Sequence, residues 1–268
     1  PSAPQGRSWP RHPSAVPRFA RSFGSMKTAH QIRSSLTDLC RSADGPRDRQ
    51  LLWGDAFDVF EQQGDWSQGH TEKDGYIGFV KTADLEPFTA KTHWVSSLSS
   101  HAYAAPNLKS ADQICLPFGT QVTVATHNGA FCETPQGYIP QQHLRPIGAY
   151  LTDPVSVAMM FLGTPYLWGG NSASGIDCSG LVQATCLACG LECPGDTGPQ
   201  QEFFISFSGD WGKGQLIFWP GHVALTISRD KLIHANAHAM AVTVEGIEAT
   251  IARIAEAGDG PVTHRAQL

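Results

Sequence analysis

The sequence lacks any apolar run of about 18 residues or more, so it predicts no transmembrane helix. It also lacks an excess of positive charge, because 19 Lys and Arg stand against 24 Asp and Glu, and the formal net charge is −5 at pH 7. This balance argues against nucleic acid or an anionic membrane surface as a partner, since both attract basic patches.

An even, regularly spaced set of cysteines is absent as well. There are seven, and their scatter is not that of a disulfide framework. Nothing resembles the apolar core of a signal peptide. Both absences favour a reducing compartment and hence a cytoplasmic location, with an exported or periplasmic location as the alternative. The composition leaves the oligomeric state open.

What is present is a chain of 268 residues, 41% of them hydrophobic, with 27 Gly and 18 Pro. The length suggests about two domains of about 150 residues each, and the Gly and Pro content favours turns and short strands. Residues 1–26 are predicted to be poorly ordered, because this stretch is rich in Pro, Arg and Ser and has few apolar residues.

Two successive β-rich runs end in the same way. The tripeptide GYI occurs at 75–77 and again at 137–139, and each is followed by a short segment ending in Leu, at 84–85 and at 143–144. This degenerate repeat of about 60 residues predicts two small β-barrels, similar to bacterial SH3 domains. One larger β-domain is the alternative.

We place the first barrel at residues 27–88 and the second at 89–147. The spacing of the apolar residues over 27–43 predicts a helical or irregular segment ahead of the first barrel strands.

After residue 148 the pattern changes to mixed helix and strand. Asp153 and Pro154 open a short helix, since Asp is a good N-cap and Pro suits the first helical position. A longer helix is predicted to begin at Cys178, and a closing helix to cover 247–257. Four strands are predicted at residues 215–219, 222–228, 231–235 and 241–245.

Cys178 follows a Gly- and Ser-rich loop and starts a helical pattern. The residues that share its helix face are Leu181, Val182, Thr185, Cys186 and Cys189. A helix N-terminus carries partial positive charge and free N–H groups, which favour a thiolate and can donate to an oxyanion. We therefore expect a nucleophile whose pKa is lowered from about 8.5 to roughly 3.5–7.5.

A thiolate nucleophile needs a base within hydrogen-bond reach. His222 opens a predicted strand on its less apolar face, and His234 in the next strand is the candidate that orients it. The two histidines share a sheet face only if the connecting loop has an odd number of residues, for example 228–230. A two-residue turn would separate them. His238 is the weaker rival for the third position.

The segments PYLWGG, DCSGLV, LIFW, GHVAL and IHA, in this order, resemble the NlpC-type cysteine peptidases, papain-like enzymes that cleave bacterial cell-wall peptides. The match covers about 148–245, and SH3-like domains are common companions of this family. The resemblance implies an α+β fold, with a papain-like domain over 148–268 behind the two barrels. It also implies Cys178 as nucleophile, His222 as base and His234 as the third polar residue.

The same resemblance implies residues around the substrate. Tyr166 corresponds to a tyrosine near the oxyanion site, and Trp168, Asp177 and Ser179 match positions that line the groove. Because the first SH3-like domain of family members closes one end of the groove, Tyr76 is a candidate contact for a free peptide amine. Asp177 is the favoured anionic partner of that amine.

Two departures from the family pattern concern the groove. Gln215 stands where members usually have Asp, and Gly195 stands where an Arg is common. Neither removes a catalytic group.

The resemblance implies hydrolysis of the bond between γ-D-glutamate and meso-diaminopimelate, or a related diamino acid, in peptidoglycan stem peptides or muropeptides. The expected path is an acyl-enzyme on Cys178, with no metal or organic cofactor. A metal site at Cys186, Cys189 and Cys193 is disfavoured, because no fourth ligand is suitably spaced. Two other functions stay open: a different papain-like amidase or acyltransferase, and a non-catalytic wall-binding SH3 protein.

Overall fold

Seven antiparallel strands make up the first β region. The computed structural model describes residues 28–268, so the predicted disordered segment over 1–26 lies outside the described residues. The strands are β1 (Thr28–Ile32), β2 (Leu36–Cys40), β3 (Arg47–Leu52), β4 (Ala56–Gln63), β5 (Trp66–Thr71), β6 (Ile77–Lys81) and β7 (Leu85–Pro87). They pair in the order β3-β2-β6-β5-β4-β1-β7.

The helical or irregular segment predicted over residues 27–43 is wrong, because β1 and β2 occupy this stretch. Its apolar spacing comes from two strands joined by a short turn. Ile32 in β1 and Leu39 in β2 are both fully buried, and they belong to one small core with Phe57. Pairing with distant strands therefore outweighs the local pattern.

Eight short strands make up the second β region. They are β8 (His93–Val95), β9 (Ser99–Tyr103), β10 (Asp112–Pro117), β11 (Gln121–Val122), β12 (Thr126–Asn128), β13 (Phe131–Thr134), β14 (Gly137–Pro140) and β15 (Leu144–Pro146). They form a five-stranded sheet, β10-β9-β14-β13-β12, and a three-stranded sheet, β11-β8-β15. A separate core includes Leu116, Val122 and Ile139.

The two β regions end alike. A 3-10 turn at Thr82–Asp84 joins β6 to β7, and a matching turn at Gln141–His143 joins β14 to β15. Within the described residues, no strand of one region pairs with a strand of the other. We propose two SH3-like domains with the boundaries that the sequence suggests, and this strand grouping supports the division.

The C-terminal part has four helices and a central sheet within the described residues. Its elements are α1 (Pro154–Met160), β16 (Asn171–Ser172), β17 (Gly175–Ile176), α2 (Cys178–Ala188), α3 (Thr197–Phe203), β18 (Gln215–Trp219), β19 (His222–Thr226), β20 (Lys231–Asn236), β21 (Ala241–Gly246), α4 (Ile247–Glu256) and β22 (His264–Gln267). The sheet is antiparallel in the order β21-β20-β19-β18-β22.

The predicted helices α1, α2 and α4 and the four predicted strands are confirmed. Asp153 caps α1 as expected, because its Oδ1 accepts the N–H of Val155 at 3.2 Å. The sequence pattern does not indicate α3, which contains Gly198 and Pro199 near its start, or the four-residue strand β22. No described helix has the length and apolar character that crossing a bilayer requires.

Helices cover both faces of the central sheet. On one face, α1 and α2 pack on the sheet through residues such as Leu181, Phe218 and Val223. On the other face, α4 packs through Ile247 and Ile254. Burying such a side chain stabilises the fold by about 1.5–3 kcal/mol. This packing holds α2 against β19, the strand that begins at His222.

Candidate active site

The start of α2 is held in place by one carboxylate. Asp177 accepts the N–H of Gly180 at 2.6 Å, the hydroxyl of Ser179 at 3.0 Å and the N–H of Gly169 at 2.9 Å. It is therefore the N-cap of α2 and ties the preceding loop to the helix. Cys178, directly after it, is only 6% exposed.

The Cys178 thiol lies between the turn before β19 and the start of α3. Its Sγ is 4.0 Å from the carbonyl oxygen of Gly221 and 3.8 Å from Oγ1 of Thr197. Burial, together with the neighbouring Asp177, raises the pKa of Cys178 to about 11. The predicted lowering of this pKa is wrong, because loss of hydration outweighs the favourable helix N-terminus.

The two histidines lie on one face of the sheet. β19 pairs with β20 so that Leu225 is opposite Ile233, which leaves residues 228–230 in the connection. The predicted odd loop is therefore confirmed. Nε2 of His222 lies 2.8 Å from Nδ1 of His234. The sequence rival, His238, lies in an exposed turn after β20.

Neither the thiol of Cys178 nor the imidazole of His222 ionises readily by itself near neutral pH. Burial and the adjacent His234 lower the pKa of His222 to about 3, while that of Cys178 is about 11. Both groups are consequently neutral across the physiological range. A proton passed from Cys178 to His222 leaves the net charge of the site unchanged, so the thiolate forms only when its proton has an acceptor.

Alkylation of Cys178 by iodoacetamide is expected to be slow at pH 7, roughly 100-fold slower than that of a free thiol, because so little thiolate is present. The rate should rise with pH towards about 11. Peptide mass spectrometry measures the rate at each cysteine, and the exposed Cys115 serves as the internal control. A reactive plateau between about pH 5 and 8 would instead show a resting thiolate–imidazolium pair.

The other residues implied by the resemblance take different positions. Tyr166 is half-buried, and burial, with Cys178 and Asp177 close by, raises its pKa to about 12, so its hydroxyl keeps its proton. Trp168 is 65% exposed beside the site. Ser179 is buried and its hydroxyl donates to Oδ1 of Asp177 at 3.0 Å, so the side chain of Ser179 does not lie open to a ligand.

Tyr76 reaches the C-terminal part from the first β region. Its hydroxyl donates to Oδ2 of Asp196 at 2.8 Å, and the guanidinium of Arg49 lies over its ring at 5.3 Å from the centroid. Burial and the Asp196 carboxylate raise the pKa of Tyr76, so the phenol stays neutral. The carboxylate that accompanies the Tyr76 hydroxyl is thus Asp196.

Arg49 is a residue that the sequence does not reveal. It is 3% exposed, and its Nη2 donates to Oε1 of Gln183 on α2 at 2.6 Å. Its Nη1 lies 3.8 Å from Oδ1 of Asp196. A Cβ at Gly195 would overlap this guanidinium. The absence of a side chain at Gly195 therefore leaves space for the guanidinium of Arg49, which extends from β3.

The second departure, Gln215, lies away from the thiol. Its Nε2 donates to the carbonyl oxygen of Asp210 at 3.2 Å, and its Oε1 accepts Nη2 of Arg265 at 3.4 Å. It joins the loop before β18 to β22. Of the three clustered cysteines, Cys186 and Cys193 are buried in the core. Within residues 28–268 no group of three His, Cys, Asp or Glu side chains is arranged to hold a metal ion.

Two models of known protein families match parts of the chain. Residues 163–253 match the model of the NlpC/P60 family. The chain contains an NlpC/P60 domain. Residues 39–85 match a second model, described as a bacterial dipeptidyl-peptidase Sh3 domain, so an SH3 domain precedes the NlpC/P60 domain.

Several curated relatives of the chain are peptidases by name. It is 34% identical over 125 residues to dipeptidyl-peptidase 6 of Lysinibacillus sphaericus, covering 42% of this chain. It is 26% identical over 228 residues to a γ-D-glutamyl-L-lysine dipeptidyl-peptidase of Bacillus cereus, covering 69% of this chain. The chain spans 45% of the length of the first relative and 66% of the second.

A solved structure shares the fold of the chain. The crystal structure of an NlpC/P60 family protein from Bacillus cereus superposes with a TM-score of 0.72, covering 82% of this chain and 94% of the other at 20% identity. The predicted α+β fold, papain-like with an SH3-like β region before it, is confirmed.

Proposed function

We propose that the protein is a cysteine peptidase that hydrolyses the bond between γ-D-glutamate and a diamino acid in peptidoglycan stem peptides. The observation that carries this proposal is the His222–His234 pair, 2.8 Å apart, at the strand end that faces the buried thiol of Cys178. The names of the relatives, which specify γ-D-glutamyl-L-lysine dipeptidyl-peptidases, support the substrate class.

In the proposed reaction, His222 takes the thiol proton as Cys178 attacks the γ-carbonyl of D-glutamate. The oxyanion is stabilised in this proposal by free N–H groups of the first turn of α2 and by the hydroxyl of Tyr166, which keeps its proton. His222 then protonates the leaving amine of the diamino acid. A water molecule, deprotonated by His222, hydrolyses the thioester and restores the neutral thiol.

We also propose that Asp196 binds a free N-terminal amine. A peptidase that releases dipeptides must hold the amine at a fixed distance from the cleaved bond. The side chain of Asp196 is 44% exposed, and the next residue, Thr197, is the one whose hydroxyl lies 3.8 Å from the Cys178 thiol. Asp177 is less suitable, because three donors already occupy its carboxylate.

The tripeptide L-Ala-γ-D-Glu-diaminopimelate is expected to be cleaved only when its amine is free, with mass spectrometry showing L-Ala-D-Glu and the diamino acid as products. Replacing Asp196 by Asn should raise KM about 10- to 100-fold, since a hydrogen bond to a charged group contributes about 1.5–3 kcal/mol. Asp259→Asn, in an exposed turn after α4, is the matched control.

Other products from this assay would identify the alternatives. Transfer of the acyl group to an added amine, without hydrolysis, would indicate an acyltransferase, and binding without any cleavage would indicate a wall-binding protein. Equal cleavage of the acetylated peptide would contradict the amine site. We further propose action on released fragments within the cytoplasm, and intact sacculi should therefore be cleaved far more slowly than tripeptide.

A further inference from the structure

A carboxylate on β21 continues the line of the two histidines. Oε1 of Glu245 lies 3.2 Å from Nε2 of His234, which is 1% exposed. That buried nitrogen makes no hydrogen bond of good geometry to any described residue, and the Glu245 carboxylate is the acceptor that lies within its reach. The pairing of His234 with Thr243 places Glu245, two residues further on, on the same sheet face.

Glu245 is itself held firmly in position. Its Oε2 accepts Nη2 of Arg253 at 2.6 Å and the hydroxyl of Thr250 at 3.1 Å, both from α4. Its Oε1 accepts the hydroxyl of Thr243 at 3.1 Å. The nearby His234 and the hydrogen bond from Arg253 lower the pKa of Glu245, so it is a carboxylate that can only accept.

We propose that Glu245 is a positioning residue that sets the tautomers of both histidines, an inference that rests on His222 acting as the base. A carboxylate requires the proton of His234 to be on Nε2. The Nδ1 of His234 is then an acceptor for Nε2–H of His222. This leaves Nδ1 of His222 unprotonated and able to take the proton of Cys178.

Glu245 also stabilises the charge that develops along this line. When His222 accepts the thiol proton on Nδ1, the positive charge stays on His222, and its Nε2–H donates to Nδ1 of His234, whose ring the carboxylate polarises. Burial otherwise disfavours that cation, as the lowered pKa of His222 shows. Glu245 therefore completes a line of four groups that begins at Cys178.

Replacing Glu245 by Gln tests the assignment. Arg253 and Thr250 both donate to the same oxygen, so the amide oxygen of Gln is expected to remain there and its NH2 to face His234. That amide is a donor, and it reverses both tautomers. We expect kcat to fall about 10²- to 10⁴-fold with KM little changed, the range seen when a histidine is held in the wrong tautomer.

Nitrogen-15 NMR of the histidine rings provides the decisive measurement, because loss of packing alone would not exchange the protonated nitrogens. In the parent protein Nδ1 of His222 should be unprotonated, and in the Glu245→Gln variant it should carry the proton. Glu248→Gln, on the exposed side of α4, is the matched control and should retain both kcat and the parent spectrum.

Unchanged ring nitrogens in the Glu245→Gln variant, or a kcat within about twofold of the parent, would overturn the proposal. The spectra need no substrate. A failure of the peptidase assignment, seen as activity that survives loss of Cys178, is therefore distinct from a failure of the tautomer assignment.

Discussion

Replacing Cys178 by Ala is expected to lower kcat/KM at least about 10⁴-fold, below the detection limit of a peptide assay. The thiol is the nucleophile of the proposed reaction, and removal of a nucleophile from a catalytic triad has cost up to about 10⁶-fold in kcat. Because Cys178 is only 6% exposed, the smaller side chain should leave the groove unchanged. Calorimetry should therefore show tripeptide binding with a nearly unchanged Kd.

Cys189→Ala is the control for this variant. Cys189 follows the last turn of the same helix, is partly exposed, and lies at the end of α2 away from the thiol of Cys178. We expect it to retain kcat/KM within about twofold. Hydrolysis that continues undiminished in the Cys178→Ala variant would show that another residue carries the reaction.

Replacing Arg49 by Met is expected to lower the free energy of unfolding by about 3–5 kcal/mol, as when one partner of a buried ion pair is removed. Gln183 and Asp196 lose their cation directly. Asp74 is affected too: burial raises its pKa, but Arg49 and Lys73 outweigh this and hold the pKa below its usual value. Urea unfolding followed by fluorescence measures the difference.

The pH dependence of this loss has a definite sign. A depressed pKa stabilises the fold above the unfolded value, about 3.9 for Asp, and this contribution disappears as pH falls through the lower folded value. The difference between parent and Arg49→Met should therefore be greatest near neutral pH and smaller at about pH 3. A difference that grows on acidification would contradict the role assigned to the Arg49–Asp74 attraction.

A second variant separates the space filled by Arg49 from its charge. Gly195→Ala should destabilise the parent, because the added methyl group overlaps the guanidinium. In the Arg49→Met background the flexible side chain can move away, so the same substitution should cost much less. Additive effects of the two changes would show that the residues are not in contact.

The sequence predicted the helix start at Cys178 and the contact between His222 and His234 because this geometry is local. Cys178 follows a capping Asp at a helix start, and the even spacing of His222 and His234 fixes their common face once the loop is odd. Glu245 was within reach of the same reasoning, since it alternates with Thr243 opposite His234. The strand register that brings it there is set by the pairing of β20 with β21.

Long-range packing explains what the sequence did not predict. Arg49 meets Gln183 134 positions away, and no local pattern marks such a contact. The sequence predicted a lowered pKa for Cys178, and the structure raises it. The helix N-terminus that lowers this pKa is visible in the sequence, but the burial that raises it is not. The catalytic roles themselves remain predictions.

The place of Arg49 over Gly195 bears on how such proteins can be recombined. Arg49 belongs to the first β region, and the space that it fills beside Gly195 belongs to the NlpC/P60 domain. Each part of the chain therefore supplies one side of this contact. A chimaera that joins this NlpC/P60 domain to a β region without an arginine at that position has an unfilled space beside Gly195 and lacks the cation next to Asp196. The reverse chimaera inherits a steric conflict. The two halves are therefore exchangeable only as a matched pair.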